Sequence, residues 1–105
     1  MAFELFSGTS TVDSGNLAFI GAIDFDELRY ISSLAEKLNS DFIAQFSVYF
    51  DDIEISLSDC QAAYPSLVES MTAELNEEER NSLNRIVAVV NYALYHKHNL
   101  YGFAD

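Results

Sequence analysis

The feature that most constrains this chain is a set of apolar residues at helical spacing between residues 77 and 101. Its main stripe lies on one side of a helix and consists of Leu83, Ile86, Val87, Val90, Leu94 and Tyr101. Asn76 suits a helix N-cap, and the three glutamates that follow favour the positive end of the helix dipole. Gly102 suits a left-handed C-terminal cap. The pattern predicts one long helix over 77–101, central to its domain.

A second amphipathic pattern covers residues 25–38. Asp24 can cap this helix, with Glu27 three residues later, as in a capping box. The apolar positions at helical spacing are Phe25, Leu28, Ile31, Leu34, Ala35 and Leu38. Asn39 is a suitable terminator because asparagine tolerates the left-handed conformation at a helix end. The sequence therefore predicts a helix over 25–38.

Residues 1–23 have a different character. Two short apolar runs, AFELF and LAFIGAI, contain the aromatic and β-branched residues that strands favour. The segment SGTSTVDSGN between them is rich in glycine, serine and threonine, which is typical of a loop. We predict a β-hairpin or an irregular arm over 1–23.

The stretch 40–57 fits two templates. As a helix it would bury one arc, made of Phe42, Ile43, Phe46, Tyr49, Phe50, Ile53 and Leu57, and leave Ile55 outside it. As a hairpin it would pair residues 46–50 with residues 53–57 across Asp51 and Asp52. An Asp-Asp pair is a poor two-residue turn because both central residues need positive φ. The helix is the favoured interpretation, and the hairpin stays open.

Ser58 can begin a further helix, which Pro65 would kink or restart at a new first turn. Together these patterns predict a single domain over 1–105 that is helical over 24–105. The fold class is mainly α with a small N-terminal β element. We expect a compact bundle of three to five helices around the long C-terminal helix.

The charge of the chain is strongly acidic. Its 17 acids and 5 bases give a net charge of −12, and residues 38–79 hold ten acids and no base. Such a surface repels nucleic acid and anionic lipid and attracts basic proteins, although acidity also serves solubility alone.

LAFIGAI is far shorter than the roughly 20 apolar residues of a membrane span, and MAFELFSG lacks the basic residues of a signal peptide. We expect a cytoplasmic protein that binds neither membranes nor nucleic acid directly.

The residues that could support catalysis or metal binding are few. Cys60 is the single cysteine, which predicts a buried, inert thiol in a reducing compartment. His96 and His98 would project about 200° apart on a helix and could not chelate one ion together. Their expected role is as cations at the helix end. We predict no catalytic residues, no cofactor and no metal site, and therefore no enzyme.

These observations favour a protein that engages and blocks a basic partner, in the manner of an immunity or inhibitor protein that neutralises a bacterial toxin or nuclease. The resemblance to immunity proteins is an analogy of size and charge. Acids would speed association and a tyrosine would anchor the complex. The candidate partner-binding residues are Asp41, Tyr49, Asp51, Asp52, Glu54, Asp59, Glu69 and Glu74.

Two alternative functions use the same acids. A DNA mimic would need rows of carboxylates, and Asp41, Asp52 and Asp59 would start one along the flank of a single helix. A metal-dependent enzyme would instead combine the central acids, Asp51, Asp52 and Glu54, with the two histidines. The wide apolar surface of the last helix is also compatible with a homodimer.

Overall fold

The computed structural model describes residues 2–9 and 17–104. The elements in chain order are β1 (Ala2–Gly8), β2 (Ala18–Asp24), a 3₁₀ turn (Phe25–Glu27), α1 (Leu28–Leu38), α2 (Asp41–Ala44), a second 3₁₀ turn (Gln45–Ser47), β3 (Ile53–Ile55), α3 (Leu57–Ser70), α4 (Glu77–His96) and β4 (Asn99–Phe103). Helices account for 57% and strands for 23% of the described structure. The chain therefore has a mixed α/β fold, and the prediction of a mainly α bundle around a long C-terminal helix is wrong.

The four strands form one antiparallel sheet in the order β2-β1-β4-β3. β1 and β2 lie where the sequence suggested an N-terminal hairpin, and they pair with each other, with an irregularity in register between Leu5 and Phe6. Residues 10–16 of the expected loop lie outside the described residues. The other edge of β1 pairs with β4, so that Leu5 lies opposite both Gly21 and Gly102.

Helix α1 follows the sequence prediction closely. The backbone N–H of Asp24 donates to Glu27 Oε1 over 3.3 Å, which fixes the start of the 3₁₀ turn. Asn39 ends α1 in the left-handed conformation, with φ of 51°. Ile31, Leu34 and Ala35 are the residues that α1 buries, as the spacing indicates. The short-range cap signals were therefore sufficient to place this helix.

Helix α4 starts as predicted but ends earlier. The side chain of Asn76 accepts a hydrogen bond from the Glu79 N–H over 2.8 Å. The helix ends at His96, where Lys97 takes the left-handed conformation with φ of 57°, and the chain continues into β4. The prediction that the helix reaches Tyr101 and is capped by Gly102 is wrong. Residues 99–103 gain two strand neighbours and bury Leu100, Tyr101 and Gly102, which outweighs their helical spacing.

The 40–57 stretch matches neither template. The Ser40 side chain caps the short α2 by accepting from the Ile43 N–H over 3.1 Å, and the second 3₁₀ turn follows. The chain then reaches β3, whose partner is β4 and not residues 46–50. Ile55 is fully buried there, with 0% exposure, opposite Leu100. The predicted long helix and the alternative hairpin are both wrong, because a strand partner more than forty residues away decides the conformation.

The core lies between the helices and one face of the sheet. The largest fully buried apolar side chains within it are Phe3, Leu5, Ile23, Ile31, Leu34, Ile43, Phe46, Ile55, Leu83, Ile86 and Leu100. Helix α3 supports it from a start at Ser56, whose Oγ accepts from the Asp59 N–H over 3.1 Å, and it continues through Pro65. Among the helices that the structure describes, none is long and apolar enough to cross a membrane.

Candidate partner-binding site

One end of the sheet carries a group of three aromatic rings. The antiparallel order places the end of β2 and the start of β3 at this same end, so that Phe25 and the Tyr49–Phe50 pair meet there. The ring centroids of Phe25 and Tyr49 are 5.6 Å apart, and those of Tyr49 and Phe50 are 5.3 Å apart. Phe25 and Phe50 approach to 6.3 Å. We refer to Phe25, Tyr49 and Phe50 as the aromatic end cluster.

The three rings of this cluster differ in exposure. Tyr49 is only 3% exposed and packs 6.3 Å from the core residue Phe3. Phe25 is 57% exposed and Phe50 is 69% exposed. Tyr49, which the sequence suggested as an anchor for a partner, is therefore the buried base of the cluster. The two phenylalanines are the rings that a partner can reach.

Exposed aspartates adjoin these two phenylalanines in the sequence, and we refer to Asp24, Asp26, Asp51 and Asp52 as the rim. Asp24 and Asp26 flank Phe25 in the sequence, Asp51 and Asp52 follow Phe50, and all four are exposed. Asp52 Oδ1 accepts a hydrogen bond from the backbone N–H of Ala104 over 2.8 Å, which ties this segment to the end of β4. The cluster is thus an apolar centre with an anionic rim on a fixed part of the fold.

The basic side chains are largely engaged within the molecule. Arg85 contacts Glu27 Oε2 at 2.7 Å, and Lys37 pairs with Glu79 at 2.7 Å. Arg80 donates to two backbone carbonyls in the α3–α4 connection. Arg29, next to Phe25 on the first turn of α1, donates to the Tyr30 hydroxyl and lies 4.8 Å from that ring's centroid. These contacts hold the cations in place, and none of them involves an aspartate of the rim.

Glu79, unlike the exposed aspartates of the rim, has a structural role inside the fold. It is buried, and it accepts hydrogen bonds from Lys37 Nζ at 2.7 Å, Ser33 Oγ at 2.6 Å and the Asn76 N–H at 3.0 Å. The Lys37 hydrogen bond and then those from Ser33 and Asn76 lower the pKa of Glu79 from its usual 4.5 to about 2. The sequence suggested only a helix start at 76–80, but this carboxylate joins α1 to α4.

The predicted row of three aspartates along one helix flank does not form. Asp41 lies in the first turn of α2, Asp52 precedes β3, and Asp59 lies in the first turn of α3. These three acids therefore sit on separate elements, and not along one helix flank.

Glu54, opposite Tyr101, lies on the sheet face away from the helices. The remaining candidates, Glu69 and Glu74, are exposed at the end of α3 and in the connection after it.

The residues proposed for a metal-dependent enzyme also lie apart. Asp52 contacts the residue that follows β4, whereas His98 contacts Ser7 near the end of β1, at the opposite end of the sheet. Within residues 2–9 and 17–104, no three His, Cys, Asp or Glu side chains converge as a metal site would require.

Cys60 is buried, and burial, followed by the charge of Asp59, raises the pKa of its thiol to about 11. A thiol with such a pKa is a weak nucleophile at neutral pH.

The central acids at Asp51 and Asp52 were identified from the sequence, but the two exposed phenylalanines were not. Phe25 and Phe50 fitted the buried arcs of two predicted helices, and both residues prove to lie outside regular α-helix. The signal that could have identified them is an aromatic residue directly beside aspartates, at the boundary of an element.

Comparison with known protein families, with curated proteins and with solved structures finds no match to this chain.

Proposed function

We propose that this protein binds a basic protein partner and blocks it, with the aromatic end cluster at the centre of the contact. The observation that carries the proposal is the pair of exposed, touching rings of Phe25 and Phe50 within a rim of exposed aspartates. Binding sites between proteins combine an apolar or aromatic centre with a polar rim in this way.

The two phenylalanines would supply most of the affinity. Each leaves more than half of its surface in water in the free protein, and a partner that covers the pair removes that apolar area from solvent. Tyr49 beneath them limits their movement, so little conformational entropy remains to be lost on binding. Slow dissociation is the expected result.

The aspartates would raise the rate of association and make it selective for cationic partners. Asp24, Asp26, Asp51 and Asp52 add to a net charge of −12, which attracts cationic proteins over a distance of about 10 Å at moderate salt. A toxin or nuclease binds the phosphate groups of its substrate through lysines and arginines. The rim would cover those basic side chains. Its substrate could no longer bind, which is the physical basis for inhibition.

The test compares variants of the purified protein as bait in a native cell extract. Wild type should capture a basic protein at low salt, and a double variant, Phe25→Ser with Phe50→Ser, should not retain it. With the captured protein purified, each single Phe variant should raise the dissociation rate at least about tenfold, as loss of a hot-spot ring does. Asp51→Asn with Asp52→Asn should instead lower the association rate and its salt dependence.

A matched control removes the same charge elsewhere. Glu77→Gln with Glu78→Gln changes two exposed acids at the start of α4 and leaves the cluster intact. This control should slow association less than the aspartate variant does. The proposal fails if the double phenylalanine variant keeps the partner with unchanged dissociation, or if the control slows association as much as the aspartate variant.

A further inference from the structure

The end of α4 brings two imidazole rings together. Lys97 takes the left-handed conformation, and the chain therefore leaves the helix between His96 and His98. The ring centroids of these histidines are 5.5 Å apart, and their planes differ by 27°. The expectation that the two side chains project apart on a continuous helix is wrong, because His98 is not part of the helix.

The separation of the rings suits one shared ion. A zinc-bound imidazole nitrogen lies about 2.0–2.1 Å from the metal, so its ring centre lies about 3.2 Å away. Two rings on one ion can then be at most about 6.4 Å apart. The observed separation of the two ring centroids, 5.5 Å, is within this limit.

Both rings are held in position by neighbouring residues. Ser7, fully buried on β1, places its Oγ 2.9 Å from His98 Nδ1. With the proton on Nδ1, this contact leaves the lone pair of His98 Nε2 for a metal, which is the usual arrangement of a zinc-binding histidine and its supporting residue. His96 packs against Tyr92, with ring centroids 4.3 Å apart, and against Tyr95 at 5.0 Å.

We propose that His96 and His98 together bind one divalent transition-metal ion of the zinc, nickel or copper type. Imidazole nitrogen suits these borderline metals, whereas magnesium and calcium prefer oxygen ligands. Water completes the coordination, so the ion exchanges with solvent and does not hold the fold together. This site is independent of the proposed partner contact, which lies at the opposite end of the sheet.

The test is a calorimetric titration of the tag-free protein with Zn²⁺ alone, repeated with Ni²⁺. Wild type should bind one ion per chain, and His96→Ala and His98→Ala should each weaken binding at least about tenfold, since each removes one of two ligands. Ser7→Ala should weaken binding about tenfold while both ligands remain. In NMR spectra of the imidazole nitrogens, the signals of both rings should shift at the same metal concentration.

The controls separate this site from general attraction of cations to an acidic protein. Lys97→Asn keeps both imidazoles and a residue that tolerates the left-handed turn, so it should bind zinc like the wild type. Excess Mg²⁺ should not compete. The proposal is overturned if a double variant, His96→Ala with His98→Ala, binds zinc unchanged, or if only one of the two single substitutions weakens binding. Thermal melts without metal verify that each variant is folded.

Discussion

The two halves of the sheet are built differently. β1 and β2 are seven residues each and adjacent in sequence, and β2 is an outer strand whose Phe19 is 58% exposed. β3 has three residues and pairs with β4, which comes more than forty residues later and lies between β3 and β1. Leu100, Tyr101 and Gly102 of β4 are all buried. Each half has one outer strand, β2 or β3, but the first half is local in sequence and leaves Phe19 exposed, whereas the second is non-local and buries Ile55 and the centre of β4.

This difference indicates where the fold tolerates change. A strand with one free edge and an exposed outer face can adjust to a new side chain. A central strand packed on both sides has no room to do so. Equivalent substitutions in the two halves should therefore have unequal costs. In decreasing order of expected effect, Ile55→Asp tests the burial of the second half, Gly102→Ala with Gly21→Ala tests the contrast between the halves, and Glu79→Gln tests the helices that support both.

The largest effect is expected from a charge in β3. Ile55→Asp places an unpaired carboxylate at a fully buried position opposite Leu100, which should lower the free energy of unfolding by about 4 kcal/mol or more. Urea denaturation measures this change. The adjacent Glu54→Gln, on the exposed side of the same strand, should change stability by less than about 0.5 kcal/mol. Equal, small effects at both positions would mean that β3 is not part of the sheet.

The next effect compares two glycines that both lie opposite Leu5. A Cβ added to Gly102 would collide with the ring of Phe3 and lie 2.8 Å from Ile53 Cγ1, so Gly102→Ala should cost about 2–3 kcal/mol. A Cβ on Gly21 would meet only Val89 Cγ1, at an ordinary 3.9 Å. Gly21→Ala should therefore be neutral or slightly stabilising. The contrast between the halves is refuted if the two alanine variants unfold at the same urea concentration.

The smallest effect concerns the helical layer that supports both halves. Because the pKa of Glu79 is lowered to about 2 from 4.5, its ionised form stabilises the native state fully above pH 4.5. That contribution decreases as the pH falls below 4.5 and is lost as it passes about 2. Glu79→Gln should lower the Tm at neutral pH, and its difference from wild type should shrink over this acid range. Glu78→Gln, on the exposed side of the first turn, is the control and should change the Tm at neutral pH much less.

The parts of the fold that were predicted correctly depend on short-range signals. Asp24, Asn39 and Asn76 mark helix ends through contacts within a few residues, and those ends lie where the sequence places them. The runs at 2–6 and 17–23 likewise correspond to β1 and β2, which pair across a short separation. In these regions the local sequence pattern and the tertiary structure favour the same conformation.

The errors arose where distant residues determine the conformation. Residues 99–103 have a helix-like pattern, yet they become a strand because β1 and β3 supply partners that local spacing cannot reveal. The candidate site was incomplete for the same reason. Phe25 and Phe50 come into contact only when the ends of β2 and β3 meet, and His96 and His98 only because the helix ends at Lys97.

The central position of β4 has a consequence for synthesis of the protein on the ribosome. The β1–β2 hairpin can form early, but the other edge of β1 has no partner until residues 99–103 have been made. At about 5–20 residues per second, that interval is on the order of ten seconds. Throughout it, Phe3 and Leu5 lie on a strand with unpaired backbone groups, a surface that can pair with other nascent chains. Chaperones that cover this edge of β1 during translation should therefore raise the yield of folded protein.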